Sequence, residues 1–334
     1  MQTDSLWAIV LAGGQGKRLA PLVTLIHGDE LPKQFAILSG QRSLLQQTLD
    51  RIAPLIPPER TLVVVNADQE LRARGQLEAY PGVQVVVQPH ENGTAAGILL
   101  PLAVLEAQAP QAKVAIFPSD HHVPNPAPFL EGIRAAADST GVCLLGMALP
   151  EPEPELGWIV ADGTSASRPT LMPVRHFVEK PDDAAAAALH REGALCNSFV
   201  IVSSVPALGA LVQEQLPEHW AALRAWAARG DLRPRALRRV YDRLMRADFS
   251  RAVLEKSRAL EVVRVVGSGW SDWGTPARVL SSLKGTVGYR TLLKRIVVGR
   301  RRAGMTADST FPRREQRSPP RAETFLARLG PLSP

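Results

Sequence analysis

The sequence predicts an α/β protein built on a doubly wound, mostly parallel sheet, followed by a disordered basic tail. Three observations carry this reading. Over the first 150 residues, short apolar runs alternate with helix-length segments. The runs are apolar throughout rather than at every second residue, the pattern of strands buried on both faces. Charge is also segregated: residues 285–334 hold 11 Lys and Arg against 3 Asp and Glu, which leaves 28 against 29 before them. The chain is accordingly divided into a domain at 1–285 and an Arg/Pro-rich tail at 286–334.

The elements follow in order. Strands are expected at 6–12 (LWAIVLA), 60–67 (RTLVVVNA), 83–88 (VQVVVQ), 113–119 (KVAIFPS) and 141–149 (GVCLLGMAL). Helices are expected between them at 42–55, 67–79, 94–108 and 127–139, which gives the β–α alternation of a parallel sheet. The stretch EPEPELGWIVADG reads as a Pro/Glu connector into a strand, and VRHFVEKP and CNSFVIVSS as further strands. Residues 205–246 are helical in pattern, and one more helix is expected near 275–285. Within the tail only a short helix near 321–329 is expected, the rest being Arg, Pro and Ser.

Bulk properties narrow the function class. Apolar residues make up 45% of the 334, enough for a full core, and no apolar run reaches the roughly 18 residues of a membrane span. The N-terminal MQTDSLWAIVLAGG has no basic region and leads straight into a strand, so no signal peptide is expected. Two cysteines, Cys143 and Cys196, suggest a reducing compartment and a cytoplasmic protein. The basic excess belongs to the tail and carries no interleaved aromatics, so nucleic acid is not an expected partner of the domain.

The first strand runs into AGGQGKR, three glycines and two cations at a strand end, where doubly wound sheets bind ligands. Such a loop suits a backbone cradle for phosphates; taken alone, it suits equally a tight strand-to-helix turn with surface cations. It is neither a P-loop, since position 11 is Leu and Arg18 follows Lys17, nor a dinucleotide fingerprint, since the third position is Leu19. Further polar breaks follow: LPKQF around Lys33, QPHENGTAAG at 88–97, FPSDHH around Asp120, VEKP at 178–181, CNSF at 196–199 and WSDWG around Asp272. By their positions alone Asp120 and Asp272 read as helix caps. The adjacent His121 and His122 point opposite ways on a strand and do not form a metal pair. The tryptophans around Asp272 read as packing.

In this order, over about residues 6–284, these motifs resemble the sugar-phosphate nucleotidyltransferases, in particular the mannose-1-phosphate guanylyltransferases. The resemblance implies the Rossmann-like nucleotide-diphospho-sugar transferase fold. It implies attack of a sugar 1-phosphate on the α-phosphorus of GTP, with Mg²⁺ as cofactor. By resemblance Arg18, Lys33, Asp120 and Asp272 are catalytic, the two aspartates holding the metal. Leu11, Ala12, Gly13, Gly14, Gly16, Gln88, Gly93 and Thr94 bind the nucleotide. Gly157, Glu179, Lys180 and Asn197 bind the sugar phosphate. The chain departs from the family pattern at Lys17 (usually Ser or Thr), at Ser119 (commonly Ala) and across 88–97. Rival expectations are a thymidylyl- or uridylyltransferase acting on glucose 1-phosphate, and a non-catalytic sugar-nucleotide sensor. The oligomeric state stays open, a homodimer included.

Overall fold

The computed structural model describes residues 6–163, 169–230 and 233–304. β1 (Leu6–Leu11) is buried through its centre and gives way to the glycine loop. α1 (Ala20–His27) carries Pro21 in its first turn, where a missing N–H costs nothing. A 3₁₀ turn at Lys33–Phe35 precedes α2 (Leu44–Ile52). β2 (Thr61–Asn66) is buried at every position; α3 (Glu70–Leu77) and β3 (Gln84–Gln88) follow. α4 (Gly93–Gln108) is apolar on most of its circumference and correspondingly buried. Then come β4 (Lys113–Pro118), α5 (Pro126–Ala136) and β5 (Val142–Met147).

The second half continues with β6 (Trp158–Ala161), β7 (Leu171–Val178), α6 (Asp183–Arg191) and β8 (Leu195–Ser204). Asp182 caps α6 by accepting from Ala185 N. The helical stretch expected at 205–246 breaks into α7 (Val205–Gln215), α8 (Pro217–Ala228) and α9 (Pro234–Tyr241), the latter two each opening on a proline. β9 (Leu260–Val265) precedes α10 (Pro276–Leu283) and α11 (Val287–Arg302), which are capped by Thr275 and Thr286. Among the described residues no helix is long and apolar enough to cross a membrane.

The strands form one nine-stranded sheet in the order β3-β2-β1-β4-β8-β5-β9-β7-β6. β3, β2, β1 and β4 are parallel neighbours, the expected doubly wound half. Beyond β4 the expectation of a mostly parallel sheet is corrected. β8 lies antiparallel to both β4 and β5, β6 and β7 pair antiparallel, and only β5–β9 returns to parallel. β7 gives the reason: its outward positions alternate with buried ones, the signature of a strand with one open face.

The tail expectation is also corrected. Residues 287–302 form a 16-residue helix, because Leu292, Ile296 and Gly299 recur at i, i+4 and i+7 and are buried on one face. The helix expected at 321–329 lies outside the described residues.

The described chain folds as two compact units. The first takes the chain up to Gly13, Leu49–Ser119 and Val123–Ser268; the second takes Gly14–Thr48, Asp120–His122 and the chain from Gly269 onward. The first holds the sheet and its main core, where Ile9, Val64 and Ile116 pack with Leu99, Leu102, Trp220 and Leu223. The second holds α1, α10 and α11.

Candidate active site

In the second unit a charged cluster gathers around Lys33. Gly16 adopts φ +59, and a Cβ there would stand 2.6 Å from Lys33 Cβ, so the glycine lets the loop close over the lysine. Gln34 donates to the Gly14 carbonyl at 2.9 Å and holds the loop from the same turn. Lys33 is 4% exposed. Its ammonium lies 3.0 Å from Asp120 Oδ2 and donates to the main-chain oxygen of Asp272 at 2.6 Å. His122 and Ser271 exchange both main-chain hydrogen bonds at 2.9 Å, which sets 120–122 beside 270–272.

Both aspartates carry a cationic neighbour. Burial pushes the Asp120 carboxyl up, but Lys33 and then His121 outweigh it and hold the group below the usual carboxylate range. Asp272 is 6% exposed. Its Oδ1 lies 3.1 Å from Arg278 Nε, yet it is buried and accepts no hydrogen bond. A Cβ at Gly274 would overlap Asp272 Oδ2 and stand 2.7 Å from Arg278 Nη2 and 2.9 Å from Arg18 Nη2, so three charged ends converge on the space that this glycine leaves. Neither aspartate caps a helix: Thr275 caps α10, and α5 begins from Asn125. His121 Nδ1 accepts from Trp270 Nε1 at 3.2 Å, while His122 stacks on the buried Trp273 at 4.3 Å.

In the first unit the expected nucleotide residues form a buried relay. Tyr241 OH donates to Gln88 Oε1 at 3.1 Å, Gln88 Nε2 to Asn66 Oδ1 at 3.2 Å, and Asn66 Nδ2 to the Gly13 carbonyl at 2.7 Å. Gln88 therefore holds the end of β1 through Asn66. Leu11 and Ala12 are fixed by main-chain bonds, Ser119 N to Leu11 O and Ala12 N to Val64 O. Gly93 and Thr94 are held against 247–249. Gly93 lies at φ +83, and a Cβ there would overlap the Ala247 carbonyl. The Thr94 hydroxyl accepts from Phe249 N at 2.7 Å and lies 3.3 Å from Asp248 Oδ2.

The same unit assembles the expected sugar-phosphate residues. Asn197 N donates to the Gly157 carbonyl at 2.8 Å, and Asn197 Oδ1 accepts from Phe199 N at 3.0 Å. Lys180 Nζ lies 3.3 Å from Glu179 Oε1; the glutamate is buried and the lysine half exposed. Burial, against the pull of Lys180, leaves the Glu179 carboxyl above its usual range. Gly157 leaves space for it, since a Cβ would meet Glu179 Oε2 at 2.7 Å.

Backbone strain marks these same places. Among the described residues the non-glycine residues with positive φ are Lys180, Phe199 and Trp273. Each is, or lies within two residues of, an expected site residue. Sequence reasoning missed Asn66, Tyr241 and Arg278. Asn66 could have been found from its place at the carboxyl end of a strand; Tyr241 and Arg278 have no local signature.

A model of the nucleotidyl transferase family matches residues 7–284. The chain belongs to the nucleotidyl transferase family. Among curated relatives, the alginate biosynthesis protein AlgA of Pseudomonas aeruginosa is 30% identical over 183 residues, 53% of this chain and 37% of that protein. A mannose-1-phosphate guanylyltransferase of Escherichia coli is 31% identical over 196 residues, 56% of this chain and 40% of that protein. The chain thus spans well under half the length of these relatives. Among nucleotidyl transferase-like structures, that of a Thermus thermophilus protein named mannose-1-phosphate geranyltransferase superposes with a TM-score of 0.73 at 30% identity, covering 84% of this chain and 79% of that one. A putative glucose-1-phosphate thymidylyltransferase from Bacillus anthracis, 16% identical with a TM-score of 0.51, shares the fold; the match covers 83% of this chain and 93% of that one.

Proposed function

We propose that this chain joins a sugar 1-phosphate, preferentially mannose 1-phosphate, to GTP, giving a GDP-sugar and pyrophosphate. The observation that carries the proposal is the Lys33 ammonium, buried against the Asp120 carboxylate and the Asp272 main chain. A phosphate oxygen of the sugar phosphate forms a bond to the α-phosphorus as the bond to pyrophosphate breaks. The nucleophile is already anionic, so positioning and charge neutralisation are what the protein must supply. Two of the three Lys33 N–H groups are engaged, and the third donates to a triphosphate oxygen. Arg18, from the second unit, adds a fork of donors for the same phosphates. In the first unit, Lys180 meets the sugar phosphate and Glu179 the sugar hydroxyls.

A hard divalent cation suits Asp120 and Asp272. Both offer carboxylate oxygens, the buried Asp272 Oδ1 is without a hydrogen bond, and Mg²⁺ binds through one or two carboxylates plus substrate phosphates. When bound, it neutralises charge on the reacting phosphates. The names of the relatives favour mannose 1-phosphate and a role in polysaccharide precursor synthesis.

The test is pyrophosphate release by the full chain with Mg²⁺, four nucleoside triphosphates and several sugar 1-phosphates. GTP with mannose 1-phosphate is expected to give the highest kcat/KM. A preference of about tenfold, some 1.4 kcal/mol, for dTTP or UTP with glucose 1-phosphate would replace the guanylyl reading. Tight binding with no turnover of any pair would make the chain a sensor.

A further inference from the structure

We propose that α11 is a strut that sets the triphosphate-side cations, with Arg295 and Arg302 as positioning residues for Lys33 and Arg18. This rests on the function proposed above.

The strut is seated without slack. A Cβ at Gly299 would overlap the Leu25 carbonyl, so the backbones of α11 and α1 touch at this point. Arg302 spreads its guanidinium over the C-terminal end of α1. Nη1 donates to His27 O at 3.2 Å, and Nη2 to Ile26 O at 2.8 Å and Leu25 O at 3.5 Å. These carbonyls have no partner within the helix, and the negative end of its dipole favours a cation there. About two turns nearer the N-terminus of α11, Arg295 donates to the carbonyls of Ile37 and Gly40, the latter at 2.8 Å.

The two clamped points lead to the two cations. Ile37 is held from both sides, its oxygen by Arg295 and its N–H by His27 Nε2 at 3.2 Å. Burial, then Arg295, pulls the His27 pKa down, so the ring stays neutral and able to accept that bond. Ile37 follows the 3₁₀ turn that carries Lys33, closed by Ala36 N to Lys33 O at 3.0 Å. At its other end α1 begins at Ala20, two residues after Arg18, and Leu19 N and Ala20 N bond back to Gly16 and Lys17. A rigid helix of eight residues, about 12 Å long, therefore transmits any shift of its clamped end to Arg18. Displacements on the order of 1 Å matter at a reacting centre.

The experiment uses the full chain with Arg295→Ala, Arg302→Ala and Arg295→Lys. It follows equilibrium binding of GTP, KM for each substrate, thermal unfolding, and hydrogen exchange across 20–40. The alanine variants are expected to weaken triphosphate binding by about tenfold or more. KM for the sugar 1-phosphate should stay within about twofold, since Lys180 is untouched. Exchange at the Ile37 amide should quicken. Arg295→Lys should not recover this, because an ammonium does not reproduce a planar fork on two carbonyls. Unchanged exchange at Ile37, equal loss for both substrates, or full rescue by lysine overturns the strut. If Arg302→Ala does not fold, Arg295→Ala and Arg295→Lys decide alone. Wild-type protein that neither binds GTP nor releases pyrophosphate would instead defeat the function reading alone, and exchange at the Ile37 amide in the Arg295 variants would still decide the strut.

Discussion

At the scale of single residues, the space beside Gly274 holds three charged ends. Gly274→Ala puts a methyl group among the ends of Asp272, Arg278 and Arg18. Asp272 is short and buried, so overpacking should lower the unfolding midpoint by about 3 °C or more. The displaced charges should lower kcat/KM by about tenfold or more; unchanged kinetics would remove that space from the site. Glu179 gives a pH test. Its folded pKa lies above its unfolded value, so the stability it contributes is present below the unfolded pKa and is lost as pH rises through the folded one. Glu179→Gln, neutral throughout, should therefore unfold at a higher temperature than wild type at a pH of about 7.5. The gap should close as the pH falls to about 4, and thermal scans across that range measure it. The site was legible in unequal parts. Lys33, Asp120 and Asp272 stand together as the ordered motifs imply, because each lies in a polar break of its own. Arg278 and Tyr241 were not legible, since a single Arg or Tyr on a helix gives no sign of what it will face.

At the scale of elements, the sequence and the fold part where strands stop being uniformly apolar. β1 to β4 could be read because parallel strands covered on both faces must be apolar at every position. β7 alternates and β8 enters between β4 and β5, an order no local pattern encodes. β9, LEVVRV, carries a β-branched run of the kind a strand needs, although no strand is expected there above. The start of α4 makes a related point. Gly93, expected at a nucleotide, has a left-handed backbone and lies against the Ala247 carbonyl. Gly93→Ala should cost about 2–4 kcal/mol, the sum of left-handed strain and overpacking. Denaturant unfolding checks this, and an unchanged midpoint would return Gly93 to ligand binding.

At the scale of the whole molecule, the boundary expected at residue 285 falls in the wrong place for an experimenter. Gly299 and Arg302 make the close contacts with α1, so a chain ending at Gly304 keeps that clamp. A chain ending at Gly285 should lose stability, since it bares α1 at Leu25, against which Gly299 packs, and frees the carbonyls that Arg302 holds. Equal midpoints for the two truncations would show that α11 adds nothing. The tryptophans offer a different handle. Of the six in the chain, four lie in the first unit, while Trp270 and Trp273 flank Asp272. These two indoles are hydrogen-bonded to His121 and stacked on His122, beside Asp120. Indole emission responds to nearby charge and to imidazole contact, so the molecule carries its own optical probe at the carboxylate pair. With the first-unit tryptophans changed to phenylalanine, the remaining fluorescence is expected, under the proposed function, to shift on addition of Mg²⁺ or GTP, with no dye attached and no turnover required.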